Sequence, residues 1–246
     1  MLMTASDDAL SREDPARFTH AWPELMLLAL GWAICSIGVW SGAWTLFRDY
    51  GMIIVPALAT LCLLVLWPLR RSLVTLAELL GGNNATARAM TAALLVVVLA
   101  LCLVRVNAEV VYFKLQLPGA SFWLWPDWKH YRALLLMPLW GGWSMMVLGQ
   151  FCKPGEQTEP AVAAFARGCG AAVAAVCMGL LLAGSIVYFS YLPWTQLSIS
   201  GTAVLTAIVG GAVVAKACGG LKRKVLLTTN FLTQMAFLLS YLANGG

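Results

Sequence analysis

Residues 90–113 read MTAALLVVVLALCLVRVNAEVVYF. From Met90 to Val104 no charged side chain occurs, and Arg105, Asn107 and Glu109 then follow inside the same run. About 20 residues of helix, rising 1.5 Å each, cross the ~30 Å of hydrocarbon in a bilayer. In lipid every backbone N–H and C=O must find a partner within the protein, which a helix achieves by itself. A barrel strand would be only about ten residues of alternating character. The stretch therefore predicts a membrane-spanning helix.

The rest of the chain repeats the pattern. Apolar runs fall at 24–47, 51–69, 90–113, 133–151, 161–188, 201–217 and 225–243, which predicts an all-α, polytopic transmembrane bundle of about seven spans. Composition agrees: 61% of the 246 residues are hydrophobic and 11% are charged, too few charges to cover a water-soluble body of this size. Only residues 48–50 separate the first two runs, so these are expected to form a tight helical hairpin. Pro56 and Pro138 fall inside runs and predict kinks, whereas Pro68, Pro154, Pro160 and Pro193 mark ends. The first 21 residues, MLMTASDDALSREDPARFTHA, lack the basic start and early apolar core of a secretory signal. They are expected to form a short polar cytosolic tail, with residues 22–246 as a single membrane domain.

Basic residues orient the bundle. With the N-terminus inside, inner segments carry 11 of the 16 Lys and Arg residues and outer segments carry four. Positive charge is retained on the cytoplasmic side, so the N-terminus is expected inside and the C-terminus outside, in a cytoplasmic membrane of bacterial type. The seven cysteines include no CxxC pair or Cys/His spacing for a metal. Asn84-Ala85-Thr86 matches a glycosylation acceptor but sits in an inner segment, where Gly81-Gly82-Asn83-Asn84 reads as turn chemistry. Scattered basic residues between apolar runs do not form a nucleic-acid surface. No phosphate-binding loop, nucleophile elbow or HExxH pattern occurs, and no catalytic or metal-ligating residues are assigned.

Three features stand out. Small residues recur every fourth position at Ala171, Ala175, Gly179 and Ala183, and again at Ala203, Ala207, Gly211 and Ala215. Such ridges let helix backbones approach closely. The two ridges are expected to pack on each other, the alternative being a partner-subunit interface. Gly38 and Gly42 offer a shorter ridge. The second feature is Arg105, Asn107 and Glu109. Arg105 lies ~22 Å along the helix from Met90, and an intramembrane charge costs ~2.5–3.5 kcal/mol on insertion scales. Arg105 and Glu109, four apart, form either a self-satisfied pair or part of a polar pathway. Asn230 and Gln234 are also four apart and are candidates for interhelical hydrogen bonds.

The third feature is the outer segment 116–132, QLPGASFWLWPDWKHYR. Trp123, Trp125 and Trp128 crowd together at the level where aromatic side chains anchor a bundle to the membrane interface. Asp127 is placed to cap a helix beginning at Trp128. The alternative is an aromatic platform for a flat or lipidic ligand, with His130 as an axial or proton-handling group. The Trp123–Trp128 stretch resembles the Trp-rich, Trp-Asp signature in an outer loop of the haem-handling proteins of cytochrome c maturation. That resemblance implies haem as a cofactor. It covers only these residues, and Pro126 interrupts the Trp-Asp pair.

Two histidines and one acid within a span do not assemble a nucleophile and base at matching depth. The residues thus point to a non-catalytic membrane protein. Its expected partners are membrane lipids and either partner membrane subunits or further copies of itself. A small permease-like component with its pathway near Arg105 and Glu109 is the second reading, and ligand handling at the Trp-rich loop the third.

Overall fold

The computed structural model describes residues 14–47, 54–116, 129–155, 158–188 and 193–244, with the backbone alone for 107–116, 129–130, 186–188, 193–194 and 196. These residues are helical almost throughout and include no strand. A short 3-10 helix, Pro15–His20, precedes α1 (Trp22–Phe47), α2 (Val55–Leu66), α3 (Arg70–Gly81), α4 (Ala85–Gln116) and α5 (Lys129–Phe151). Then follow α6 (Pro160–Gly168), α7 (Ala171–Tyr188), α8 (Pro193–Leu205), a π-helical turn (Thr206–Gly210), α9 (Gly211–Ala217) and α10 (Arg223–Ala243).

Five stretches are long and apolar enough to cross a membrane: Trp22–Phe47, Ala85–Val106, Tyr131–Phe151, Leu197–Ala217 and Arg223–Ala243. The two remaining expected spans are broken. α2 and α3 meet at a 74° bend and α6 and α7 at a 69° bend, so the number reaches seven only if each bent pair is one span. The first break follows from Pro68, which lacks an N–H and disfavours helical geometry at the preceding residue. Trp67 accordingly leaves the helix with φ −126° and ψ −77°. The second break falls at Gly168-Cys169-Gly170, where the Gln150 side-chain amide donates to the carbonyls of Ala166 and Cys169. Those bonds satisfy carbonyls that a helix end leaves without partners. Pro56, expected to kink a span, instead occupies the first turn of α2, where its missing N–H costs nothing. Pro138 lies within α5, which continues through it.

The segment read as an inner loop after the second run is the helix α3. Ser72, Leu73, Leu76 and Ala77 are buried on one side while Arg70, Val74 and Glu78 are exposed on the other. Asn84 caps α4, its Oδ1 accepting from the backbone N–H groups of Thr86 (2.9 Å) and Ala87 (3.3 Å). Residues 14–20 pack on the bundle: Phe18 is buried, and Gly168 of α6 lies against the Thr19 carbonyl with no room for a Cβ.

α5 and α10 form the centre and pack on each other more extensively than any other described pair. α1 lies on α5 through Leu25, Ala29, Ala33, Ser36, Trp40 and Ala43, a stripe at helical spacing. α2 lies beside α1, α4 beside α2 and α3, and α7 on α5. In the spanning stretches of α5 and α10, 72% of residues are buried, against 28% or fewer in the other three. These two are also the least apolar spans. That ordering suits a bundle in lipid, where polar side chains gather between helices and the most apolar helices face the hydrocarbon.

Candidate functional site

The interior of α10 carries the sequence TTNFLTQ, residues 228–234, and every residue in it except Leu232 is buried. Gln234 Nε2 donates to Asn230 Oδ1 at 2.7 Å, and Asn230 Nδ2 donates to the Met145 sulfur on α5 at 3.6 Å. A Cβ on Gly141 of α5 would lie 2.6 Å from Gln234 Nε2 and 3.0 Å from Asn230 Nδ2. Glycine is therefore what lets the two amides press against α5. The hydroxyls of Thr228, Thr229 and Thr233 and the Trp140 indole N–H are buried without a hydrogen-bond partner among the described residues. Buried polar groups of this kind usually have one. The result is a polar seam between the two central helices.

The N-terminal end of the same helix opens on a cleft of about 840 Å³ lined by Arg70, Arg71, Val74, Thr75 and Glu78 of α3. Glu159, Lys222, Arg223, Lys224 and Leu227 complete its walls. A clasp between two loops fixes these groups. Leu221 N–H donates to the Lys153 carbonyl (3.2 Å), Thr158 Oγ1 donates to the Leu221 carbonyl (2.6 Å), and Gly155 N–H donates to Thr158 Oγ1 (2.7 Å). Gly219 and Gly220 have φ of 72° and 119°, conformations that L side chains rarely adopt. A Cβ on Gly155 would meet the Gly219 carbonyl oxygen at 2.8 Å, so the loops touch backbone to backbone. Glu159 then reaches the start of α10, where its Oε2 accepts from Arg223 N–H at 3.3 Å. Arg223 is 6% exposed.

Both helices that begin at the cleft start in an unusual way. Neither Leu69 before α3 nor Lys222 before α10 makes a side-chain capping bond, and neither first turn carries an acid. Cations occupy those turns instead. Helix N-termini are electropositive and favour acidic neighbours, by ~0.3–1 kcal/mol each. Two such ends, crowded with arginine and lysine, concentrate positive potential in one concavity. In the sequence alone, the same residues mark only the expected membrane orientation. That α3 and α10 bring them together is a tertiary fact, although the 73, 76, 77 spacing of buried residues after Pro68 was a signal for the helix.

The residues singled out from the sequence are distributed as follows. Arg105 is exposed on α4, between the buried Cys102, Leu103 and Val106, and points away from the bundle interior. Asn107 and Glu109 lie on α4 by backbone, and His130 in the first turn of α5, with side chains outside the described residues. Trp123, Trp125, Asp127 and Trp128 also lie outside the described residues, so the geometry bears on neither aromatic anchoring nor haem. Among the described residues no three His, Cys, Asp or Glu side chains cluster. The two small-residue ridges do not meet. Ala203, Ala207, Gly211 and Ala215 are buried, and a Cβ on Gly211 would lie 2.5 Å from Leu148 of α5. Ala171, Ala175, Gly179 and Ala183 are all exposed, and a Cβ on Gly179 would meet nothing within 4 Å. α7 uses a different face, Ala174, Cys177, Leu181 and Ser185, for its buried contacts.

A bundle of long apolar helices around a polar centre is compatible with an integral membrane protein. No protein-family model, curated protein or solved structure matches the chain.

Proposed function

We propose that this is a non-catalytic membrane subunit that associates laterally with a partner membrane protein or a second copy of itself through α7. The observation that carries the reading is the outward ridge of Ala171, Ala175, Gly179 and Ala183. A helix face turned to lipid gains nothing from small residues, whereas a face that receives another helix needs them for close backbone approach. The basic asymmetry of the sequence supports placing the N-terminus on the cytoplasmic side of a bacterial-type membrane. Disulfide crosslinking of Val176→Cys in an otherwise Cys-free chain, followed by native mass spectrometry, tests the assembly. Gly179→Leu is expected to abolish it while leaving the stability of the isolated chain unchanged, because the new side chain meets open space. A chain that purifies alone at all concentrations, or an assembly indifferent to Gly179→Leu, refutes the reading.

The polar seam of α10 favours a second reading, a permease-like component whose pathway follows Thr228–Gln234 rather than Arg105. Buried hydroxyls that find no partner among the described residues are groups that can hydrate a path through a bundle. Anion flux into liposomes containing this chain alone, reduced by Thr229→Val, is the expected result. A tight bilayer under those conditions eliminates it.

A further inference from the structure

We propose that the cleft between α3 and the start of α10 is a binding site for a multiply charged phosphate ester. An anionic lipid headgroup and a soluble phosphorylated solute share that chemistry. The site lies away from the α7 ridge, so the inference is independent of lateral assembly.

Charge is the first ground. Among the described residues, Arg70, Arg71, Lys222, Arg223 and Lys224 face the cleft against Glu78 and Glu159, an excess of three positive charges. A single carboxylate would not balance that excess. A phosphate ester carrying two or more charges would, and guanidinium forks match its oxygens in pairs. Backbone geometry is the second. α3 runs along the cavity and α10 begins at it with no capping bond from Lys222, and N–H groups at a helix start bind phosphate oxygens. Glu159 Oε2 already accepts from Arg223 N–H, which marks where an oxyanion is received. The third ground is size and position. At about 840 Å³ the cleft exceeds inorganic phosphate and suits a small ligand. α3 turns 74° from α2, buries Leu73, Leu76 and Ala77, and exposes Arg70, as a helix lying along an interface does. The clasp of 153–155 with 219–221 holds the walls in place.

The test uses the full chain in phosphatidylcholine nanodiscs, with two probes: pyrophosphate in solution and phosphatidic acid in the lipid. Saturable binding is read by calorimetry and by ligand-dependent thermal stabilisation. Arg70→Gln with Lys224→Gln, both exposed positions, is expected to weaken binding about thirty-fold. Arg17→Gln with Lys216→Gln removes the same charge elsewhere and is expected to change it less than twofold. Should the double variant not fold, Lys224→Gln alone is expected to weaken binding about fivefold. Glu159→Gln keeps the cap on α10 and is expected to tighten binding about fivefold, which a purely structural role would not produce. Saturation by phosphatidic acid alone supports a lipid headgroup, by pyrophosphate alone a soluble ligand, and by both the shared chemistry. Saturation by neither probe, or equal weakening by the control pair, overturns the proposal.

Discussion

Replacing Gly141 with alanine adds one methyl group at a close contact between the two central helices. The new Cβ would sit 2.6 Å from Gln234 Nε2 and 2.8 Å from Gln234 Cγ. Non-bonded heavy atoms prefer ~3.5–4.0 Å, so Gln234 must move by about an ångström. A shift of the amide tip alone does not relieve the Cγ contact, and Gln234 is 5% exposed with nowhere open to go. Overpacking of this kind costs ~1–3 kcal/mol. Displacement also breaks the 2.7 Å bond to Asn230, and such bonds in membrane bundles average about 0.6 kcal/mol with a maximum near 1.7. Alanine recovers up to ~1 kcal/mol over glycine in a helix interior. The net expectation is a loss of about 1–3 kcal/mol, read by thermal or denaturant unfolding in mild detergent. Gly38→Ala, where an added Cβ meets nothing within 4 Å, is the control and should be neutral or slightly stabilising. In a Gln234→Ala background the methyl enters vacated space, so the cost of Gly141→Ala should fall by more than half. Wild-type stability for Gly141→Ala, or an undiminished cost in that background, would refute the packing of Gln234 against Gly141.

The remaining predictions concern packing and orientation. Gly211→Leu drives four carbons into the buried Leu148, and should lower stability by about 3 kcal/mol or more or prevent folding; a normal unfolding curve would show that the α9–α5 contact yields. In a Cys-free chain, an impermeant thiol reagent applied from outside should label Asn244→Cys and miss Asn84→Cys. Outside labelling at 84 would reverse the proposed orientation.

The sequence by itself determined that the chain is a bundle of helices, several of them long and apolar enough to cross a membrane. Run length and the demand that lipid places on backbone hydrogen bonds leave few other structures for 61% apolar residues. It also located most of the long apolar helices and marked Pro68 as an end, but it placed α3 in a loop and started the sixth run at 201, eight residues after α8 begins at Pro193. What it could not show is which face of each helix is inward. Two ridges with the same four-residue spacing, one at Ala175 and Gly179 and one at Ala207 and Gly211, have opposite fates. In lipid both an interior face and an outer face can be apolar and small, so periodicity carries no sign. The bend at Gly168-Cys169-Gly170 likewise depends on a tertiary partner, Gln150, whose side-chain amide donates to the carbonyls of the broken helix end. The basic cleft is the sharpest instance. Arg70 and Arg71 stand some 150 residues from Lys222, Arg223 and Lys224, and only the turn of α3 toward the start of α10 gathers them around one cavity. Charge patterning sets an expected side of the membrane, because that expectation depends only on totals per loop. A binding surface depends on distances between side chains from different helices, and those are fixed only when the bundle packs.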